Sequence, residues 1–316
     1  MKTLIQFAYH QASPYKTEKS IYNIIIGKKS HQTFFDAVSL NLFTLFGLQK
    51  SLSWETFLSY ISEVPDSLNF PTNNRATFHT LTQTFDHIQL LIQTLSHLKH
   101  HSTSFMPVSS QVDTHIKVKQ VYHQIKHQHL EETIYSEIHQ LFYRLNQIHT
   151  HSVLHYFLTG YDESMYTAHQ VALIESVSSE TLSTLIYKDL YFLNMILEET
   201  NEFPILSQCR TPLKVSQAVY RTFICLQEGQ SIESISHHNH ISINTVYDHI
   251  IDLFINDYLV NYQSFIHQCE KIQPFVSYYK SYPNQRLKFY KNEFDMFNYF
   301  EIKLIIICIA KGVLHA

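Results

Sequence analysis

Residues 231–254, SIESISHHNHISINTVYDHIIDLF, have the pattern of two short helices joined by a tight turn. Ser231 can cap the first helix, because a serine side chain accepts hydrogen bonds from the free N–H groups at a helix start. Histidine and asparagine interrupt the pattern at residues 238–240, and Ser242 then stands where a second cap belongs. The apolar residues that follow recur at helical spacing: Ile243, Val246, Ile250, Leu253 and Phe254. The stretch therefore predicts a helix-turn-helix, a motif whose second helix usually enters a DNA groove.

A similar pattern occurs earlier in the chain, starting at Thr167. Counted from Thr167 or from Ser231, residues of the same type fall at the same offsets. The matched pairs are Val171/Ile235, Ala172/Ser236, Val177/Ile241, Ser178/Ser242, Thr181/Thr245 and Leu182/Val246. We interpret this stretch as a second helix-turn-helix-like unit, with a chance match of a degenerate pattern as the alternative.

The composition indicates a folded protein with few turn-forming residues. Hydrophobic residues make up 45% of the 316, with only 5 glycines and 8 prolines, which argues against disorder and against a turn-rich all-β fold. A net charge of −4 excludes a protein that coats nucleic acid over its whole surface. The 4 cysteines are far apart and form no CxxC pair, so we expect reduced core thiols rather than zinc ligands or disulfides.

No stretch has the length of a signal peptide or of a membrane span. The start of the chain, MKTLIQFAYHQ, lacks a sufficiently long apolar region. The longest apolar run, LIIICIA at residues 304–310, is about a third of the length that a membrane-spanning helix needs. We therefore expect a soluble, cytoplasmic protein that contacts no membrane, and the sequence leaves its oligomeric state open.

Helical periodicity runs through most of the chain. Residues 17–26 predict a helix that ends at Gly27, residues 33–46 predict another that ends at Gly47, and Ser53 opens a third. Residues 78–95 carry a short heptad stripe, which suits a core face or a partner helix, and two further helices follow. The predicted fold is all-α. Its parts are an N-terminal helical domain at 1–160, a helix-turn-helix-like unit at 161–203 and a C-terminal helix-turn-helix module at 213–316.

The second helix of the Ser231 motif is acidic where a DNA reader would be basic. Residues 214–266 contain two basic and five acidic residues, and the polar face of the helix is predicted to expose Asp248, His249 and Asp252. Because phosphate contacts supply most non-specific DNA affinity, this helix favours protein docking or internal packing over groove reading. The predicted docking or recognition residues are Asn244, Thr245, Tyr247, Asp248, Ile251 and Asp252. Asn244 is the residue among them that could read an adenine edge.

A later segment, residues 271–292, has several cations and no acidic residue. The predicted nucleic-acid-binding residues are Lys271, Lys280, Arg286, Lys288 and Lys291. Aromatic residues are interleaved with them: Phe275, Tyr278, Tyr279, Tyr282, Phe289 and Tyr290. Cations beside stackable rings suit single-stranded nucleic acid. The alternative is a solvated basic helix whose aromatic rings lie in the core.

Catalytic and metal-binding signatures are missing from the sequence. The 22 histidines include the i, i+4 pairs His97/His101, His123/His127 and His151/His155, and two histidines one turn apart can share a metal ion. However, there is no HExxH, and no carboxylate recurs at ligand spacing, so surface or capping roles are expected. Because GxxxxGK[ST], GxGxxG and GxSxG are also absent, we predict no catalytic residue, no metal site and no cofactor.

Short stretches at both ends of the chain form recognisable patterns. The C-terminal stretches are Thr222-Phe223, Glu228-Gly229, residues 231–235, Ile241-Ser242, Thr245-Val246, Asp248-His249, Leu287-Lys288 and residues 299–304. In this pattern the C-terminal part resembles the helix-turn-helix module at the end of RecQ-type helicases. The N-terminal stretches are Ser20-Ile21-Tyr22, residues 27–33 and Asp36-Ala37, and with them the N-terminal part is similar to the start of the Firmicutes YpbB family.

The resemblance has functional implications that the residue patterns alone do not carry. The YpbB family has this module without helicase motors. The resemblance thus implies a non-enzymatic accessory or adaptor protein that works with a RecQ-type helicase in DNA repair or replication-fork maintenance, with possible DNA contact. A helix-turn-helix transcription regulator is the alternative on the same motifs.

Overall fold

The computed structural model describes residues 1–62, 68–148 and 152–315. Over these ranges the chain forms α-helices joined by turns and short 3-10 segments, without a strand, so the all-α prediction is confirmed. The helices are α1 (Lys2–Ala12), α2 (Glu18–Ile25), α3 (His31–Ser39), α4 (Trp54–Ile61), α5 (Phe78–Lys99), α6 (Val112–Gln128), α7 (Glu131–Ile148), α8 (Ala168–Ile174), α9 (Ser179–Ile196), α10 (Gln217–Gln227), α11 (Ile232–Asn239), α12 (Ile243–Ile255), α13 (Ile272–Ser281), α14 (Leu287–Glu293) and α15 (Tyr299–Ala310). None of these helices is both long and apolar enough to cross a membrane.

The chain divides into two compact units. The first unit consists of Met1–Leu4, Asn69–Pro71 and His79–Pro212, and the second consists of Ile5–Leu68, Thr72–Phe78 and Leu213–Ala316. Of the three predicted segments, 1–160 is shared between the units, 161–203 falls in the first, and 213–316 falls in the second. The early helices join the second unit because α3 packs against α12 and α15, a long-range contact that local patterns do not encode.

Helix boundaries follow short-range chemistry where the sequence signals are strong. The Thr17 side chain accepts a hydrogen bond from the Ser20 N–H at the start of α2, and Ser53 does the same for Thr56 at the start of α4. Gly27, which follows α2, has a φ of +69°, a left-handed conformation that glycine adopts without steric cost. These caps confirm the predicted starts of α2 and α4 and the predicted end of α2.

The single helix predicted over residues 33–46 is wrong. α3 ends at Ser39, and the chain then turns through Asn41, whose φ is +55°, into a 3-10 segment at Phe43–Leu45. The apolar residues of this turn are buried rather than spread along a helix face. The turn brings Gly47 so close to Gly27 that a Cβ atom on Gly27 would lie 2.8 Å from the Gly47 Cα. The apolar run therefore encodes a compact turn against α2.

The first compact unit is built around long helices, and some polar side chains are buried between its elements. α7 packs against α6 and α9, and α8 packs against α9. The heptad stripe of α5 lies largely inside the fold, with Leu81, Phe85, Ile88 and Leu95 buried, which agrees with the core-face interpretation. Glu137 accepts hydrogen bonds from the N–H groups of Ile205 and Leu206, and burial raises the pKa of its carboxyl.

The two helix-turn-helix units have the same local geometry at each matched offset. Thr167 and Ser231 are both N-caps, as are Ser178 and Ser242 further along. The turn residues at the same position, Ser176 and His240, both have a φ of +53°. The matched positions on the inner faces are buried as well: Val171 with Ile235 and Leu182 with Val246. These features confirm the second helix-turn-helix-like unit that the sequence comparison predicted.

Candidate docking cleft and nucleic-acid surface

The second helix of the C-terminal motif, α12, is covered by other helices of its own unit. It packs against α3, α10, α11 and α15. Its buried residues are Val246, His249, Ile250, Ile251, Asp252, Leu253, Phe254 and Ile255. The predicted exposure of His249 and Asp252 is therefore wrong, since each residue is only 5% exposed. These two residues do not meet solvent because other helices, among them α3 from the N-terminal part of the chain, pack against α12.

Residues of other helices form hydrogen bonds with two buried polar side chains of α12. His31 of α3 places Nδ1 2.7 Å from a carboxylate oxygen of Asp252, and this hydrogen bond raises the pKa of His31. The His249 Nδ1 lies 2.8 Å from the hydroxyl of Thr222 on α10, and burial lowers the pKa of His249. Because an unpaired buried carboxylate is costly, the His31–Asp252 pair is what allows an acidic residue at this position.

Two further predicted docking residues contact α15. The Tyr247 ring stacks on Phe300 with centroids 4.4 Å apart, and the Lys303 ammonium lies 3.3 Å from a carboxylate oxygen of Asp248. These pairs occur in the same order along α12 and α15, so the two helices run parallel. Tyr247 and Asp248, both predicted as docking or recognition residues, therefore contact another helix of the same chain.

The exposed remainder of α12 is its first turn. Asn244 is exposed, while the hydroxyl of Thr245 lies 2.8 Å from that of Ser242 in the N-cap. A cleft of about 400 Å³ lies between the beginnings of α12 and α15. Its walls include Asn244, Tyr247, Asp248, Ile251, Asn298, Tyr299, Phe300 and Lys303. The structure thus brings four of the six predicted docking residues to one cleft and leaves Thr245 and Asp252 outside its lining.

The predicted nucleic-acid segment forms two short helices rather than one. α13 and α14 are separated by a turn at Tyr282–Arg286 in which Asn284 has a φ of +58°. The side chains of Lys271, Lys280, Arg286 and Lys288 are exposed and form no ion pair with any residue that the structure describes. We call these four residues the basic surface.

Lys291, the fifth predicted nucleic-acid-binding residue, has a different position. Its ammonium donates hydrogen bonds to the backbone carbonyls of Asp295 and Phe297, the latter at 2.8 Å. These contacts hold the loop between α14 and α15. Lys291 is thus engaged in the fold, whereas the basic surface is open to solvent.

The aromatic residues of the segment divide into a core group and a surface group. Phe275, Tyr279 and Tyr290 are buried, and burial raises the pKa of Tyr279 to about 12. The rings of Tyr278, Tyr282 and Phe289 remain at least partly exposed, with centroids 5.0 to 5.9 Å apart. The core interpretation therefore holds for Phe275, Tyr279 and Tyr290, whereas Tyr278, Tyr282 and Phe289 form a ring cluster at the surface of the same segment.

Two of the three histidine pairs singled out in the sequence lie within the described residues. His123 and His127 have ring centroids 6.5 Å apart, and His97 stacks on Phe105. His151 lies outside the described residues. Over the described ranges, no group of three or more histidine, cysteine, aspartate or glutamate residues is placed to hold a metal ion. Three cysteines are buried as expected, but Cys269 is exposed.

Sequence reasoning missed the residues that complete these sites. His31 carries no local signal for its contact with Asp252, which lies 221 residues away in the chain. Lys303 and Tyr299, in contrast, belong to the stretch at residues 299–304 that carries the C-terminal resemblance. That stretch could have indicated that α15 forms one wall of the cleft.

Comparison with known proteins identifies the C-terminal part of the chain. Residues 218–306 match the family model of a helix-turn-helix domain. No curated protein and no solved structure gives a significant match to the chain. The matched residues extend from α10 into α15 and so include the cleft and the basic surface. A helix-turn-helix domain suggests DNA binding.

Proposed function

We propose that the protein is a non-enzymatic, cytoplasmic accessory protein that acts with a RecQ-type DNA helicase in DNA repair or replication-fork maintenance. The observation that carries the proposal is the burial of α12 between α3 and α15. A helix covered on these sides has little free surface to lie along a major groove, which favours a role through other surfaces of the domain. The RecQ-type partner rests on the resemblance at both ends of the chain.

The DNA contact in this proposal is made by the basic surface. Its four cations are exposed, while α12 has no lysine or arginine. The same part of the chain, α13, α14 and the turn between them, also carries the surface rings of Tyr278, Tyr282 and Phe289. Unpaired bases can stack on such rings. Single-stranded DNA, which a helicase produces, is therefore the expected form. Removal of one phosphate-binding cation should reduce the slope of log affinity against log salt by about 0.7.

The protein contact in this proposal is made by the cleft between α12 and α15. Tyr299 is half exposed at its edge, Asn244 offers an amide, and Lys303 and Asp248 lie beside the aromatic wall. Aromatic residues are enriched at the centre of protein interfaces and polar groups at their rim, so an aromatic wall beside polar groups suits a protein partner. The helicase would dock here while the basic surface contacts DNA.

Affinity recovery from the native cell tests the proposal. Tagged full-length protein should recover a RecQ-type helicase with and without nuclease treatment. Tyr299→Glu should abolish that recovery, whereas Lys280→Glu with Lys288→Glu should leave it intact and weaken binding to single-stranded DNA. Tyr143→Glu, on an exposed tyrosine of α7, is the matched control. Recovery of DNA without any helicase would contradict the adaptor role.

A helix-turn-helix transcription regulator is the second candidate, and the exposure of Asn244 favours it. Asn244 is at the second position of α12, and the first residues of a recognition helix commonly contact base edges. Tight duplex binding with a sharp site preference, lost on Asn244→Ala and kept on Lys288→Glu, would support this candidate and contradict the proposed division of surfaces.

A further inference from the structure

A second cavity, of about 290 Å³, lies at the turn of the C-terminal helix-turn-helix. Five of its lining residues carry nitrogen groups that can donate hydrogen bonds: Arg221, His238, Asn239, His240 and His249. Ala218 and Ile241 complete the lining, and none of these described residues is a carboxylate. This is unusual within residues 214–266, where acidic residues outnumber basic ones. The cavity is therefore a concentration of donors in an otherwise acidic module.

Two of these donors have no partner among the residues that the structure describes. Arg221 is exposed and forms no ion pair with any described residue. The Asn239 side-chain nitrogen is buried, yet no acceptor lies within hydrogen-bonding distance in the described part of the chain. Buried amide groups in folded proteins nearly always have a partner, so an unpaired one at a cavity wall points to an acceptor that comes from outside.

Some of the other groups around the cavity already have partners, while the carboxylates of Asp252 and Asp248, which are not part of the lining, act on the pKa of His249. The His249 Nδ1 is engaged by Thr222 on α10. At the C-terminal end of α11, the carbonyl of Ser236 accepts the Ile241 N–H, and that of His237 accepts the His240 N–H. Because the turn itself takes up these carbonyls, the negative end of the helix is partly neutralised before a ligand arrives.

We propose that this cavity binds a phosphoryl group. A guanidinium fork binds two phosphate oxygens at once, and the Asn239 amide and the imidazole N–H groups can donate to the remaining oxygens. A carboxylate, with two oxygens, would leave several of these donors unpaired. The volume exceeds that of a phosphoryl group alone, so the cavity also has room for part of the group that carries the phosphate. The site is separate from the basic surface, and it does not depend on the proposed function.

Calorimetric titration of the full chain at constant ionic strength tests this site. The probes are inorganic phosphate, a 5′-phosphorylated tetranucleotide and its 5′-hydroxyl twin. Arg221→Gln should weaken binding of the phosphorylated probe at least about tenfold, and Asn239→Ala about threefold. Lys29→Gln removes the same charge from an exposed lysine of the same unit outside the cavity and should change nothing. Unfolding curves of each variant verify that the fold is kept.

The three probes identify the source of the phosphoryl group. Preference for the phosphorylated oligonucleotide assigns the site to a terminal phosphate, and equal, Arg221-dependent binding of both oligonucleotides assigns it to an internal phosphodiester. Arg221-dependent binding of inorganic phosphate alone assigns it to a free phosphate compound. If no probe binds, or if Arg221→Gln and Asn239→Ala bind as the wild type does, the inference is overturned. Loss of oligonucleotide binding only on changes to the basic surface would leave the proposed DNA contact standing without this site.

Discussion

The two helix-turn-helix units share a backbone pattern and differ in what their side chains face. In α8, Leu173 and Ile174 are 66% and 50% exposed, and the matched positions of α11 are His237 and His238. The first helix-turn-helix unit thus presents apolar residues at the end of its first helix, whereas the second helix-turn-helix unit presents histidines there. The comparison shows that caps and turn residues encode the motif, and that the residues between them decide what surface it offers.

Both units also bury an aspartate in their second helix, with different partners. Asp189 of α9 accepts hydrogen bonds from the Ser152 hydroxyl and from the N–H groups of Val153 and Leu154. Asp252 of α12 pairs with the imidazole of His31. Backbone N–H groups keep their protons at all ordinary pH values, but an imidazole does not. The buried aspartate of the first helix-turn-helix unit therefore makes contacts that do not depend on pH, whereas the contact of the buried aspartate in the second helix-turn-helix unit does.

The largest expected effect is the loss of Asp189. Asp189→Ala should destabilise the chain by about 3–5 kcal/mol, because it leaves several buried donors without their acceptor. Chemical denaturation measures this, with Asp162→Ala, which removes an exposed carboxylate of the same unit, as the control. A cost similar to that of the control would show that the buried contact does not hold the first unit together.

A smaller cost is expected at Asp252. Asp252→Ala should destabilise by about 1–2 kcal/mol, because His31 is partly exposed and can turn to water instead. In addition, one carboxylate oxygen of Asp252 is buried without a partner among the described residues. Asp252→Ala removes this unpaired oxygen, and the free energy gained offsets part of the destabilisation. A double-mutant cycle with His31→Ala measures the coupling between the two side chains. If the two changes are additive, the side chains do not stabilise each other.

The His31–Asp252 pair should also make the stability of the second compact unit depend on pH. Since the folded pKa of His31 is raised above its ordinary value of 6.5, the stabilisation is fully present below about pH 6.5 and is lost as the pH rises through the raised pKa. The stability difference between wild type and His31→Asn should therefore shrink from pH 6 to pH 9. His249 acts in the opposite sense at acidic pH, because its pKa is lowered, and it is unchanged in both proteins. A difference that stays constant over this range would contradict the pairing.

The smallest expected effects concern the caps that the two units share. Ser178→Ala and Ser242→Ala should each cost about 1 kcal/mol, because each removes the side chain that accepts the third N–H of its helix. Similar costs would show that the two motifs have the same local energetics. Ser183→Ala, in the middle of α9, is the control and should cost less. Unequal costs at the two caps would mean that the surroundings, rather than the cap, determine the effect.

Sequence reasoning was most successful where a few neighbouring residues decide the structure. Serine and threonine caps located the starts of α2, α4 and both helix-turn-helix motifs, and periodicity located α5 to α7. It was least successful where a segment is defined by distant contacts. The break after α3, which residue patterns alone did not reveal, and the capture of Lys291 by backbone carbonyls are examples. The helix α1 is a further example, because the sequence patterns did not predict it.

For the candidate sites, the residue types were informative and their environment was not. The acidic character of α12 already argued against groove reading, and the basic character of residues 271–292 indicated a second surface. However, the burial of His249 and Asp252 could not be read from α12, because α3 covers them from far away in the chain. The cavity beside Arg221 also depends on tertiary contacts, because its walls come from α10, from the turn after α11 and from α12.

The sequence by itself determined the helices, their caps and the repeated helix-turn-helix, because these depend on hydrogen bonds and side-chain spacing within a few residues. Only the tertiary structure decided which faces remain available. The pairing of His31 with Asp252 joins residues 221 positions apart, and its geometry depends on the packing of entire helices. The same packing that completes the core of the second compact unit buries most of α12 and leaves the start of that helix, the cleft, the basic surface and the Arg221 cavity open.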